Sequence, residues 1–453
     1  MERNLVEFEM KQLMPHFVKQ IPNTTVAYSN LLAELLCCLT NPITEQFVKD
    51  DQMIDYFSSS LSEQGKSYYR PAIFENNTEL FKEFEDVSRI NSVQSFRVFE
   101  IIVKLASCSP DHLNKLAEKG FNFSNRVQAY LNGNNDILSK LNCIELLTSL
   151  AKTNHGYEYL KVNGYLDKFM VYLKEPIADP FVSFLIPAVV KLFSHIVRHK
   201  FETFDYPDYY NFLFEKALSE YTTNNHADVD LAVQTFSFLF EINLVTEKIY
   251  QSYEKQFILL IEKLIHILQT CINDILKANS LLCIAEMIAP DPSLLHIEHT
   301  DLKWSESPWV TSEYVDFTHE LYKKLTEKCS HEQFFNICFT LAKKPIFETR
   351  QAAQYYFKAL CQTRWGLNYL FSPNKFNSHE KFVDGYLLNR LIEVEKNGLE
   401  SKYELIKLLL ASFNANPDLI PLIGEQNIHR LKGYILEGPF YTKAEHRVAF
   451  ESV

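Results

Sequence analysis

At 453 residues and 52.9 kDa, with 47% hydrophobic and 14% aromatic residues, the chain has ample material for a core and is not a disordered polypeptide. Its net charge of −12 and pI near 5.7, with no Lys/Arg-rich run, argue against a nucleic-acid binder, which needs a basic stripe for phosphate contacts. Only 11 residues are Gly, which disfavours the φ > 0 turns and phosphate-cradling loops of α/β enzymes and favours helices joined by short connections.

The opening MERNLVEFEM is too acidic for a signal peptide. Ser58–Asn77 (SSSLSEQGKSYYRPAIFENN) is polar and predicts an insertion between repeats. Within it, QGKS (Gln64–Ser67) resembles the end of a phosphate-binding loop. The Gly needed five residues before Gly65 is Ser60, however, so a solvated loop is expected.

From Arg97 the chain begins to repeat itself. RVFEIIVKLASCSPDHLNKLAEKGF…YL (Arg97–Leu131) aligns with NCIELLTSLAKTNHGYEYLKVNGYL…YL (Asn142–Leu173). Glu100 falls on Glu145 and Gly120 on Gly164, offsets of 45 (145 − 100) and 44 (164 − 120). In LNCIELLTSLA, apolar residues at Leu141, Ile144, Leu147 and Ala151, widened by Leu146 and Leu150, have the spacing of a helix that buries one face. The longest apolar run, Phe181–Val190, is about half of a bilayer span. Tyr221–Asp230 reads as a loop, and AVQTFSFLFEI (Ala232–Ile242) and NSLLCIAEMIA (Asn279–Ala289) echo the repeat. The stretch from Ala289 to Tyr314 holds three Pro and two of the three Trp, and predicts a seam between an N-terminal and a C-terminal arc.

SLAKTNHGYEYL (Ser149–Leu160) then returns as ALCQTRWGLNYL (Ala359–Leu370), 210 positions on (360 − 150). The small residue after the Leu, Ala151 or Cys361, permits close helix approach. Gly156 and Gly366 are expected at a helix boundary where bulk or a fixed φ is unwelcome. Ser372–Glu380 reads as a short loop. Ala411 and Gly424 keep the 13-residue separation of Ala151 and Gly164 (424 − 411; 164 − 151), and residues 438–453 read as a tail. Units of about 40–47 residues with two or three helices are the mark of HEAT and armadillo arrays. The expectation is one all-α solenoid over 1–453, each rung covering the apolar face of the next. The 35 Phe and 24 Tyr predict aromatic packing layers.

The nine cysteines are scattered, adjacent only at Cys37 and Cys38, and form no C-x-x-C pair. Cys143, Cys283 and Cys361 lie in apolar helical patterns, where a free thiol behaves as a small buried hydrophobe. This is the cysteine usage of a reducing compartment, so a soluble chain of the cytoplasm or nucleus is expected, and the Asn-x-Ser/Thr matches at Asn23, Asn76 and Asn122 are chance. His195 and His199 (HIVRH) share a helical face, but Ile196 stands where a zinc protease carries its Glu and no third ligand is evident. His296 and His299 make no better case. No nucleophile elbow or Cys/His frame occurs, so no catalytic, metal or cofactor residue is assigned. A solenoid offers a long surface for another macromolecule. An importin-like adaptor would need a recurring Trp/Asn ladder, whereas Trp304, Trp309 and Trp365 do not follow the repeat. A generic adaptor or importin-like cargo binder stands as the alternative to a scaffold or chaperone that grips a folded domain.

TRWGLNYLFSP (Thr363–Pro373), SKYELIKLL (Ser401–Leu409) and RLKGYILEGPFYTK (Arg430–Lys443), in this order, resemble the 26S proteasome non-ATPase regulatory subunit 5 family. Phe440-Tyr441 stands where members often carry Tyr-Tyr. The resemblance implies a C-shaped HEAT/armadillo superhelix, monomeric when free, that serves as an assembly chaperone of the proteasome regulatory-particle base. It implies binding to the C-terminal domain of one base ATPase, regulatory subunit 7, in an intermediate with a second ATPase and a large non-ATPase subunit. Catalysis and cofactors are not implied. Its motif does not localise contact residues; Arg364, Trp365, Lys402, Tyr403, Glu404, Pro439, Phe440 and Tyr441 are the candidates, since Trp and Arg anchor interfaces. Trp365 has a competing reading as filler between rungs, flanked as it is by the repeat-core positions Leu360, Gly366 and Leu370.

Overall fold

The computed structural model describes residues 99–296, 314–371 and 382–441, with short gaps at 101, 105, 108, 112, 115–122, 133–136, 175–181 and 223–224. The expectations for 58–77 and 372–380, and for His299, Trp304 and Trp309, lie outside these residues, as does the tail beyond Tyr441. Helix dominates, and no strand occurs among the described residues. The chain forms two compact units, 1–199 and 200–453.

The first unit contains α1 (Phe123–Asn132), α2 (Ile137–Ala151), α3 (Asn154–Val162), α4 (Tyr165–Lys174) and most of α5 (Ile186–Lys200). α2 buries Cys143, Ile144, Leu147, Leu150 and Ala151, the stripe that the spacing predicts. The turn into α3 is fixed by Thr153, whose Oγ1 accepts from the Gly156 N–H at 3.1 Å. Rungs are tied at the repeat stride. His155 Nε2 meets the Ala106 carbonyl at 2.8 Å, 49 residues back, and Lys191 Nζ donates to Glu145 at 2.7 Å across 46 residues.

The second unit contains α6 (Pro207–Leu218), α7 (His226–Phe240), α8 (Asn243–Ser252), α9 (Glu254–Thr270) and α10 (Asp274–Ile288). After these come α11 (Val315–Lys328), α12 (His331–Leu341), α13 (Phe347–Cys361), α14 (Arg364–Phe371), α15 (Lys396–Ala415) and α16 (Glu425–Glu437). α7 packs on α10, α10 on α13, and α13 on α15, forming a central row flanked by α6, α9 and α11. α10 is apolar on nearly every side, as a helix enclosed by neighbours must be, and Leu281, Cys283, Ile284, Ala285, Met287 and Ile288 are fully covered. Such rung-on-rung burial is an all-α solenoid.

The stride recurs in side-chain hydrogen bonds. Lys263 Nζ reaches the Ser219 carbonyl at 2.7 Å over 44 residues, and Asn279 reaches Asp230 at 2.7 Å over 49. Across the Pro-rich stretch the separation grows: Lys358 Nζ donates to the Leu295 carbonyl over 63 residues and the Asp291 N–H to Gln362 Oε1 over 71. The described residues on either side of 297–313 belong to the second unit, where α10 and α13 pack on one another. Aromatic rings form the expected layers. Phe214, Phe236, Phe240 and Phe257 follow one another at centroid distances of 4.8, 5.6 and 5.3 Å. No single described helix is long and apolar enough to cross a membrane.

The duplicated phrase has a steric cause. A Cβ on Gly156 would lie 2.1 Å from the Leu150 carbonyl oxygen, and one on Gly366 2.0 Å from that of Leu360. Bulk, not φ, is what these positions exclude. The second glycine of the repeat differs: Gly164 and Gly424 have φ of 69° and 85°, the left-handed turn that ends one helix and aims the next.

Candidate functional site

The candidate residues of the C-terminal rungs divide by burial. Trp365 opens α14, where Thr363 Oγ1 accepts from the Gly366 N–H at 2.9 Å. Its ring stacks on His319 of α11 at 4.9 Å and 6°, with Tyr322 at 5.0 Å, and only 9% of the residue is exposed. Burial, then the nearby Lys323, push the His319 pKa down. This indole fills a layer between rungs. Arg364 points out of the same turn and forks onto Asn416 Oδ1 at 3.0 Å and Asp418 Oδ1 at 3.1 Å.

Lys402 and Glu404 are interior. Lys402 is fully covered, donates to the Asn389 carbonyl at 2.6 Å, and lies 5.4 Å from the Tyr386 ring centroid. Burial pulls its pKa down to about 7, opposed by Glu393 and reinforced by Arg390. Glu404, 4% exposed, accepts from Lys407 at 3.1 Å. Tyr403 between them is half-buried and donates to the Ile435 carbonyl at 3.1 Å.

The segment after α16 is the accessible part. Gly438 caps the helix at φ 86°, and Arg390 donates to its carbonyl at 2.8 Å while covering the rings of Tyr434 at 3.8 Å and Tyr441 at 5.3 Å. That clamp holds Pro439, half-buried, with Phe440 and Tyr441 exposed beside it. Leu391 and Val394, which follow Arg390 in the chain, and Leu436 on α16 are also exposed, giving this end of the second unit apolar surface. Sequence reading passed over these three. The available signal was that each falls outside its segment's buried stripe.

Two clusters bear on metal chemistry. His195 and His199 lie on α5 as the spacing implied, but burial and then Lys152, Lys191 and Arg198 push His195 down to about 4. Such cationic surroundings oppose a metal. In the second unit, Glu241, Glu286 and His296 bring one ligand atom each to within 4.8 Å of one another. Sequence inspection missed this group because its members come from three elements. Among the described residues no nucleophile–base–orienter set is evident.

A family model described as "Proteasome non-ATPase 26S subunit" matches residues 72–279 and 297–453. The chain belongs to that family. Its sequence is 28% identical to the 26S proteasome non-ATPase regulatory subunit 5 of Bos taurus over 387 residues, 84% of this chain and 68% of the relative. The Homo sapiens protein of that name matches at the same identity and coverage, and the Drosophila melanogaster one at 22% over 390 residues, 83% of this chain and 66% of the relative. Among solved structures, a designed armadillo repeat protein in complex with the peptide (KR)4 aligns with TM-score 0.36 and 14% identity, over 62% of this chain and 99% of that one. An engineered protein aligns with TM-score 0.35 and 11% identity, over 90% and 98%. Membership of this family, on an all-α helical array, points to a proteasome-related role.

Proposed function

We propose that this chain is an assembly chaperone for the base of the 26S proteasome regulatory particle. It holds the C-terminal domain of the base ATPase known as regulatory subunit 7, in an intermediate that also contains a second base ATPase and a large non-ATPase subunit, and leaves as the particle is completed. It is not an enzyme, needs no cofactor, works as a free monomer before capture, and acts in the cytoplasm and nucleus.

The observation that carries this reading is the family match across both units, joined to relatives named as non-ATPase regulatory subunits. The physics agrees. A row of rungs presents many small contacts over a broad face, which suits retention of a folded domain with modest affinity and later release. Of the candidate residues, Phe440 and Tyr441 offer exposed aromatic surface on a clamped backbone, so their ordering cost on binding is low.

The test is capture of the isolated C-terminal domain of that ATPase by the full chain, with an importin-type basic peptide as competitor. Micromolar capture that the peptide leaves intact is expected. Loss of the ATPase domain with retention of the peptide would favour the adaptor reading. Phe440→Ser with Tyr441→Ser is expected to weaken capture by about tenfold or more, with the melting temperature unchanged.

A further inference from the structure

Glu286 is the one acidic residue in the interior of α10, and it is 1% exposed. Ser237 and His296 hydrogen-bond to its carboxylate and Glu241 places a second carboxylate beside it; among the described residues no Lys or Arg hydrogen-bonds or ion-pairs with Glu286. Burying a carboxylate against another without a cation is costly. Ser237 Oγ donates to Oε2 and leaves Oε1 facing His296 Nε2 at 3.2 Å. That separation is close to the edge of a tetrahedral zinc site, about 3.3 Å for bonds of about 2.0 Å. The widest pair of the three ligand atoms lies within 4.8 Å. His296 is exposed and Glu241 half-buried. Two residues past Glu241, Asn243 is 7% exposed and donates to the Pro290 carbonyl, yet its Oδ1 meets no donor. The turn that carries Glu241 therefore holds a buried oxygen with its pairing incomplete.

We propose that Glu241, Glu286 and His296 form a divalent-cation site, best matched to zinc, that joins the end of α7 to α10 and to the turn after it. One imidazole nitrogen and two carboxylate oxygens are a zinc donor set with room for water, and the Ser237 hydroxyl acts as the outer partner that orients Glu286. The ion neutralises the buried carboxylate and staples two neighbouring rungs of the central row. A proton on Glu286 is the competing way to lower the charge, and it predicts no metal uptake.

The experiment uses the full chain, stripped with a chelator and titrated with Zn2+ against a chromophoric zinc indicator, then with Co2+ for its visible spectrum. Wild type is expected to withdraw one equivalent that the double variant Glu241→Gln/His296→Ala does not. Zinc should raise the melting temperature of wild type and not of the variant, and Co2+ should give four- or five-coordinate bands in wild type alone. Modification of His296 by diethyl pyrocarbonate, read by peptide mass spectrometry, should be blocked by zinc in wild type, a readout that requires no variant. Absence of uptake by wild type, uptake that survives the double substitution, or unprotected His296 at saturating zinc each overturns the proposal.

Discussion

At Gly156 and Gly366 the chain passes so close to the preceding helix that a single methyl group would sit 2.1 and 2.0 Å from a carbonyl oxygen. Backbone, not a flexible side chain, is in the way. Gly156→Ala and Gly366→Ala are each expected to cost about 3 kcal/mol, as overpacking does, read as a fall in the urea midpoint. Gly433 is the contrast, because it lies inside α16 with nothing within 4 Å of a built Cβ. Gly433→Ala should stabilise by about 0.5–1 kcal/mol through lower backbone entropy in the unfolded chain. Equal tolerance at all three sites would remove close approach as the reason for the repeated phrase. Lys402 supplies a second residue-scale case. Its folded pKa, near 7, lies below the ordinary 10.5, so between those values the unfolded chain holds a proton that the folded chain has released. Stability therefore rises with pH through that window and is least below pH 7. Lys358, pulled down to about 8 by burial, adds to the same slope. Urea midpoints at pH 7.5 and 9.5 should differ less in Lys402→Met than in wild type. An unchanged difference would mean that Lys402 reaches water. In sequence Lys402 stands among the candidate contact residues and nothing marks Lys358, since only the packing of other segments covers them.

Between elements, buried and exposed ties have different worth. Arg350 of α13 is 3% exposed, donates to Glu393 at 3.0 Å and to the Pro345 carbonyl at 2.6 Å, and leaves a covered carboxylate behind if truncated. Arg350→Ala is expected to cost about 3–5 kcal/mol in denaturant unfolding. Arg364→Ala, which breaks the exposed fork onto Asp418, should leave the midpoint unchanged. A reversal of that order would mean that solvent reaches the Arg350 pair. The helices themselves were legible because their apolar stripes have a period shorter than one element: the Leu141–Ala151 pattern predicts the buried face of α2 by itself. Partners between rungs were not, because the stride is uneven, 39 residues at Gln354–Glu393 and 71 at Asp291–Gln362. The Glu241, Glu286 and His296 group shows the consequence. Glu241 and Glu286 are one stride apart, 45 residues (286 − 241), and become neighbours only once α7 is known to pack on α10. The apolar end around Phe440 was half legible, since Gly438-Pro439 marked the chain leaving α16 while Leu391 and Val394 come from a separate segment.

Along the second unit, each helix of the central row packs on the next in the row and on the helices that flank it, so stability should behave as a sum of local terms with nearest-neighbour coupling. A compact core spreads any lesion through one cooperative unit; a row confines it. Gly366→Ala puts a lesion at the junction of α13 and α14. Hydrogen exchange followed by mass spectrometry should then show lost protection in α13 and α14, and a smaller loss in α10 and α15, on which α13 packs. α6 and α7, two or more contacts away along the row, should keep wild-type protection. Both halves of the comparison lie within residues 200–453, so the outcome does not depend on how the two units are joined. Equal loss from α6 to α16 would mean that the unit unfolds as one body. The row would then be a scaffold in geometry alone, and a bound domain would be felt by every rung at once instead of by those beneath it.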